Sequence, residues 1–245
     1  RLSQLAALLD QKTAGAYRLS LDGNEQFTSW EAFADFWEMA SSRPDIQPLL
    51  ERVLFIEQPL SRNTALESSG VGKLKGEATT PPVIIDESDA HPECFRRALE
   101  CGYRGVSHKN CKGIFKGIAH RILIDQESAS RRESLIMSGE DLANIGPVAL
   151  PQDLALQALL GNSSVERNGH HYFLGLSMFP EEVRQLILDR HPDLYHNFGD
   201  NIPSLNIRGG TLPLGSINQS ALGTAFSPEE LYFSLQQENL ESFTP

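Results

Sequence analysis

The sequence predicts an α/β protein built from strand-then-helix units around a parallel sheet, open or closed into a barrel. Three observations predict it. Short strand-like runs recur at 17–21, 53–56 and 83–85, and each is followed at once by one carboxylate: Asp22, Glu57 and Asp86. The steps from Asp22 to Glu57, Asp86 and Lys109 are 35, 29 and 23 residues, each long enough for a crossover between parallel strands. The gaps hold segments of helical periodicity, bounded by glycine and proline.

Residues 2–9 have helical spacing, with Leu2, Leu5, Leu8 and Leu9 on one face and Gly15 as a stop. Strand 17–21 runs into a turn at Asp22-Gly23-Asn24. Thr28 and Glu31 fit a capping box for a helix with Trp30, Phe33, Trp37 and Ala40 on its inner side, broken by Pro44. The run 53–56, rich in branched and aromatic residues, suits a strand buried on both faces, and Pro59 stops it. The stretch 62–80 contains Gly70, Gly72 and Gly76 and reads equally as a short helix or a loop. Pro81-Pro82 leads into strand 83–85. His91-Pro92-Glu93 opens a helix with proline at its first position; Phe95, Ala98 and Leu99 face inward and Gly102 ends it.

Strand 103–108 ends at Lys109, and a helix follows over 115–124. Strand 134–137 carries Ser138-Gly139-Glu140 at its tip. Helix 153–160 ends at Gly161, and a strand is expected over 172–176 behind His170-His171. Helix 180–190 has acids first and Arg190 last, as the helix dipole favours. Residues 194–223 are rich in Gly, Asn and Pro and read as irregular surface. Ser227-Pro228-Glu229-Glu230 caps a last short helix. The units number about six, with residues 1–190 as the barrel portion and 191–245 as an irregular segment and short helix. Six units are too few for an eight-stranded barrel, and the remaining two are expected before Arg1.

The 245 residues suffice for one large α/β domain or two small ones. A net charge of −11 argues against a nucleic-acid surface, which needs an excess of Lys and Arg. Small anionic substrates remain compatible, because a metal supplies local positive field. Cys94, Cys101 and Cys111 form an odd set without a CxxC pair, which favours reduced thiols in a cytoplasmic protein. No apolar run reaches the ~18 residues of a membrane span, so no membrane association is expected. Self-association into a homo-oligomer is left open.

A charge does not stay in a two-face-buried strand, so Glu57 is expected where strand becomes loop. Three carboxylates at neighbouring strand ends repel one another without a cation, and hard oxygen donors suit Mg²⁺. The plainer reading is three ordinary solvated loop acids. Lys109 ends the next strand; near a dication its ammonium form is disfavoured, which makes it a usable general base. Its plainer reading is a surface lysine. Asn24 and Gln58 either orient the ligands or make loop hydrogen bonds. Glu87 is a supporting acid or an alternative ligand to Asp86. Glu140 lines the pocket or caps the following segment. His170 and His171 either touch substrate or have no special role, and Cys111 is expected in packing.

In order, LSLDGNE, LFIEQPL, VIIDES and SHKNCKG resemble the enolase superfamily, in its mandelate racemase and muconate lactonizing enzyme branch. IEQPL and the DES triplet are the specific parts. The resemblance runs from about Ala16 to Ile114, and more loosely to the end. It implies a TIM-like (β/α) barrel with Asp22, Glu57 and Asp86 as Mg²⁺ ligands, Lys109 as the catalytic lysine and Lys112 as a second lysine of the motif. The implied chemistry is abstraction of the proton α to the carboxylate of a small substrate. The family's second-strand lysine pair and most of its capping domain have no counterpart here, except for a C-terminal return toward the cap in 191–245. Gly113 stands alone where the family has two glycines. No histidine occurs near SLIMSGEDL, which favours the lysine-based reactions: cycloisomerisation, o-succinylbenzoate synthesis or dipeptide epimerisation. HHYFLG stands where epimerases carry Asp-x-Asp, which counts against epimerisation. The alternative is a non-catalytic or incomplete relative that keeps only scaffold and metal site.

Overall fold

The computed structural model describes residues 1–67, 80–140, 144–167 and 169–241. The side chains of His170 and His171, and most of the stretch 62–80, lie outside the described residues. The protein is mixed α/β with parallel sheets. It forms two compact units, Arg1–His108 with Ile118–Ser138, and Lys109–Gly117 with Gly139–Pro245.

In the first unit the order is α1 (Leu2–Thr13), β1 (Leu19–Asp22), α2 (Trp30–Ser41), α3 (Gln47–Leu50), β2 (Val53–Glu57), α4 (Arg62–Ala65), β3 (Val83–Ile84), α5 (Cys94–Cys101) and β4 (Gly105–His108). It also holds most of α6 (Ile114–Arg131) and residues 136–138 of β5 (Ile136–Glu140). Strands β1, β2 and β3 are parallel neighbours, with Asp22 opposite Glu57 and Glu57 opposite Ile84. A parallel bridge from Ile85 to Val106 continues the pairing to β4, and Ile136 N–H donates to the Arg104 carbonyl at 2.9 Å. The expected strand acids thus fall at the carboxyl ends of adjacent parallel strands.

The stripe Trp30, Phe33, Trp37 and Ala40 of α2 is buried, and each large side chain there contributes about 1.5–3 kcal/mol of apolar burial. Phe27 meets Phe33 edge-on at 5.2 Å, and Trp30 meets Tyr103 at 5.5 Å. The helix starts one residue later than the capping box predicts: Ser29, in extended conformation, accepts from Ala32 N–H at 3.2 Å. Helix α5 likewise starts after Pro92, with Glu93 at its N-cap, because 91–94 close a turn through Cys94 N–H and the His91 carbonyl. It ends at Gly102 as expected, at φ 101°.

The second unit contains residues 139–140 of β5, α7 (Ala149–Leu159), β6 (Val165–Glu166), α8 (Gly169–Tyr172), α9 (Glu181–Arg190), β7 (Tyr195–Asn197), β8 (Pro203–Leu205), α10 (Gly215–Asn218) and α11 (Pro228–Glu241). Gly139 and Glu140 pair in parallel with Val165 and Glu166. Its core is Leu150, Leu154, Leu176, Val183, Ile187, Leu194, Tyr195, Ile217 and Phe226.

Two expectations fail in this unit. Residues 172–176 are not a strand: α8 ends there, and Gly175 turns at φ +51°, where a Cβ would lie 2.1 Å from the Pro203 carbonyl oxygen. The strand of this region is β6. Residues 194–223 are not wholly irregular either, because β7 and β8 form an antiparallel hairpin with Tyr195 opposite Leu205. The last helix behaves as predicted. Ser227 Oγ accepts from Glu230 N–H at 3.2 Å while Glu230 accepts from Ser227 N–H at 2.7 Å. Among the described residues no helix is long and apolar enough to cross a membrane.

Candidate metal centre

Strand β2 is buried over its last three residues, Phe55, Ile56 and Glu57, and its final residue is the acid. Glu57 is 7% exposed and Asp86, just beyond β3, is 3% exposed. Carboxylate oxygens of the two lie within 4.8 Å of each other. Two buried like charges at that separation disfavour one another, and a cation between them relieves both the repulsion and the desolvation. Asp22 stands opposite Glu57 in register and accepts from Asn24 N–H at 2.9 Å, closing an Asx turn. Among the described residues it does not bring an oxygen within 4.8 Å of both Glu57 and Asp86.

The turn after β1 crosses close over the end of β2. Gly23 N–H donates to the Glu57 carbonyl at 2.8 Å, and a Cβ at Gly23 would lie 2.5 Å from Pro59 Cα. Only glycine fits that crossing. Asn24, Glu25 and Gln58 all hold left-handed backbone, at φ 43°, 60° and 33°. Such strain persists only where surrounding contacts impose it.

Gln58 has no exposed surface. Its Nε2 donates to the Leu60 carbonyl (2.8 Å) and to Ser88 Oγ (2.7 Å). Its Oε1 accepts from the backbone N–H of Asp86 (2.8 Å) and of Ser88 (3.2 Å). Both ends of the amide are used, and they tie Asp86-Glu87-Ser88 to the end of β2. The side chain therefore joins the loop that carries Asp86 to the end of β2.

Glu87 is half-buried. Burial pushes its carboxyl up from the ordinary range, and the charges of Asp86, Asp22 and Glu25 push the same way. The acids of the three loops therefore share one electrostatic neighbourhood.

Glu25 and Arg62 belong to this neighbourhood, and sequence reasoning did not single them out. The Arg62 guanidinium grips the Glu25 carboxylate through Nε and Nη2 at 2.5–3.0 Å, and Arg62 backbone N–H adds a contact of 2.6 Å. This holds the Glu25 carboxyl below its usual range and the guanidinium above its own, with Glu87 and Asp86 adding to the latter. A 37-residue separation leaves no spacing signal for such a pair. Another unread pair is His120 with Asp89, both buried and 3.7 Å apart.

In the second unit, Lys109 Nζ meets Glu140 Oε2 at 2.7 Å, with the side chains only 13% and 16% exposed. Lys112 is half-buried in the single 3₁₀ turn Asn110–Lys112, which Gly113 ends at φ +106°. Cys111 is exposed, so the packing expected of it is absent; Cys94 and Cys101 are also free thiols. Arg167 and Asp153 form a buried pair at 3.0 Å.

No family model matches the sequence, and no curated protein does. Among solved structures, the chain is similar to a mandelate racemase/muconate lactonizing protein from Herpetosiphon aurantiacus, at 18% identity and a TM-score of 0.47. The match covers 66% of this chain and 40% of that one.

Proposed function

We propose that this chain is the metal-binding (β/α) barrel portion of a cytoplasmic enolase-superfamily enzyme, of the mandelate racemase and muconate lactonizing branch. On this reading it removes the proton α to the carboxylate of a small substrate, as an isomerase or lyase. The observation that carries the proposal is the buried Glu57–Asp86 pair, two carboxylates on the ends of adjacent parallel strands with oxygens within 4.8 Å. The donor set fits a hard divalent cation such as Mg²⁺: oxygen ligands only, buried, and mutually repulsive without a positive charge.

Glu57 and Asp86 would hold the ion; Asp22, on the strand beside Glu57, would join them as a third ligand only after its carboxylate swings toward them from its present position. When bound, Mg²⁺ supplies positive charge to the substrate carboxylate and so favours loss of the neighbouring proton. Gln58 keeps Asp86 in place through its backbone N–H, and the Asx turn of Asn24 sets the direction of Asp22. Glu87 shapes the local field. Lys109 Nζ is the base. It accepts a proton only as the neutral amine, and Glu140 Oε2 at 2.7 Å fixes the position of Nζ. Lys112, in the turn that follows, adds positive charge toward the anionic substrate.

Calorimetric titration of Mg²⁺ into the wild-type chain and Glu57→Gln tests the metal site. Binding is expected in the first and lost in the second; equal binding sinks the assignment. The chemistry is tested by incubation in D₂O with a panel of small carboxylates. Deuterium at the α-carbon that depends on Lys109 supports an enzyme. If the wild-type chain exchanges nothing, or Lys109→Ala exchanges as fast, the scaffold-only reading replaces this one.

A further inference from the structure

The segments carrying Asp22 and Glu57 stay zipped together beyond the ends of β1 and β2. After the Gly23–Glu57 bond, Glu25 N–H donates to the Gln58 carbonyl at 2.9 Å, Phe27 N–H to the Pro59 carbonyl at 3.0 Å, and Ser61 N–H to the Phe27 carbonyl at 3.1 Å. Glu25 and Arg62 close this extension with their side chains. An ordinary surface ion pair contributes little, because both side chains are free to move and water screens them. Here the carboxylate is held by Nε, Nη2 and the backbone N–H of one residue, and Glu25 itself is fixed on left-handed backbone. A forked guanidinium contact of this kind fixes direction as well as distance.

The pair also sits within the field of the strand-end acids. The charges of Glu87 and Asp86 act on the Arg62 guanidinium, and the charge of Glu25 acts on Glu87. Any cation entering between Glu57 and Asp86 therefore feels Arg62 as a fixed competitor and Glu25 as a fixed supporter.

We infer that the Glu25–Arg62 pair is the built-in countercharge of the candidate metal centre, Arg62 lowering and Glu25 raising its attraction for a divalent cation. This rests on the proposed role of Glu57 and Asp86 in holding that cation. The arrangement sets the affinity through two charges outside the proposed ligand set. One unit charge acting on a divalent ion through partly solvated surroundings changes its affinity by about threefold at ~10 mM ionic strength, and by almost nothing at ~1 M.

The test is calorimetric titration of MgCl₂ into the full chain at these two ionic strengths. At ~10 mM, Arg62→Gln is expected to bind about threefold more tightly and Glu25→Gln about threefold more weakly. Arg62→Lys, which keeps the charge, stays near wild type, and all differences close at ~1 M salt. The double variant Glu25→Gln with Arg62→Gln restores the net charge and returns to wild-type affinity, which decides the matter even if one single variant does not fold. A purely mechanical clamp predicts the opposite: both single variants and the double variant bind more weakly at either salt. That result overturns the inference, as does no change in any variant. Glu57→Gln is the control: if it still binds Mg²⁺ like wild type, the metal site itself is wrong; if it loses binding while the paired charges have no opposing effects, only the countercharge is wrong.

Discussion

Gln58 shows how one residue can place another without touching the chemistry. Its amide makes four hydrogen bonds within the protein, two of them to the backbone N–H groups of Asp86 and Ser88. Because the side chain is wholly buried, water cannot replace those partners if it is removed. Gln58→Leu fills similar space but leaves two N–H groups, one carbonyl and one hydroxyl unmatched. A loss of about 3 kcal/mol in unfolding free energy is expected, measured by urea denaturation in EDTA. A loss under about 1 kcal/mol means that the Asp86 loop is held by other contacts. Doing the measurement without cation keeps this structural role separate from any effect on metal affinity.

At the scale of elements, what was legible in the sequence is what has a short repeat. The run 53–56 is continuous and apolar and forms a strand with Glu57 as its end. The two-face burial expected of it holds only for Phe55 and Ile56, since Val53 is half-buried and Leu54 is 39% exposed. The stripe of α2 recurs at helical spacing and is buried as a stripe. The capping box at Ser227 spans four residues and forms as written. The failures share a different cause: their determinants are distant in sequence. Residues 172–176 look like a strand locally, but Gly175 turns beneath the Pro203 carbonyl, 28 residues away. The β7–β8 hairpin is hidden in a glycine- and asparagine-rich stretch because its strands are only three residues long. The same holds at the site. Glu57 and Asp86 were legible from strand ends, and their closeness follows from parallel neighbours. The proximity of Lys109 to Glu140 and of Glu25 to Arg62 was not, because no local pattern encodes a contact 31 or 37 residues apart.

For the whole molecule, acid acts through two opposing effects, and a buried histidine separates them. The net charge of −11 means that lowering the pH toward neutral charge relieves self-repulsion and favours the compact state. His191 works the other way. It is fully buried; its Nε2 accepts from Ala225 N–H at 3.2 Å, so Nδ1 carries the proton and donates to Ser216 Oγ at 3.0 Å. The neutral ring thereby links the end of α9 to α10 and to the segment before α11. A second proton on Nε2 would face the Ala225 N–H, donor against donor. Burial holds the His191 pKa below its ordinary value, and the nearby Asp193 carboxylate only partly offsets this. The unfolded chain, with an ordinary histidine pKa of about 6.5, therefore binds more protons than the native state as pH falls through that value. The stability His191 contributes is thus fully present above about pH 6.5 and is lost below it, at up to about 1.4 kcal/mol per pH unit. His191→Gln, whose amide can still accept and donate but does not titrate, should lose less stability than wild type between pH 7.5 and 5.5. Urea unfolding of both proteins at constant ionic strength measures this, and the difference between the two slopes cancels the background from net charge. Parallel slopes would mean that His191 accepts its second proton in the folded protein as readily as in the unfolded chain.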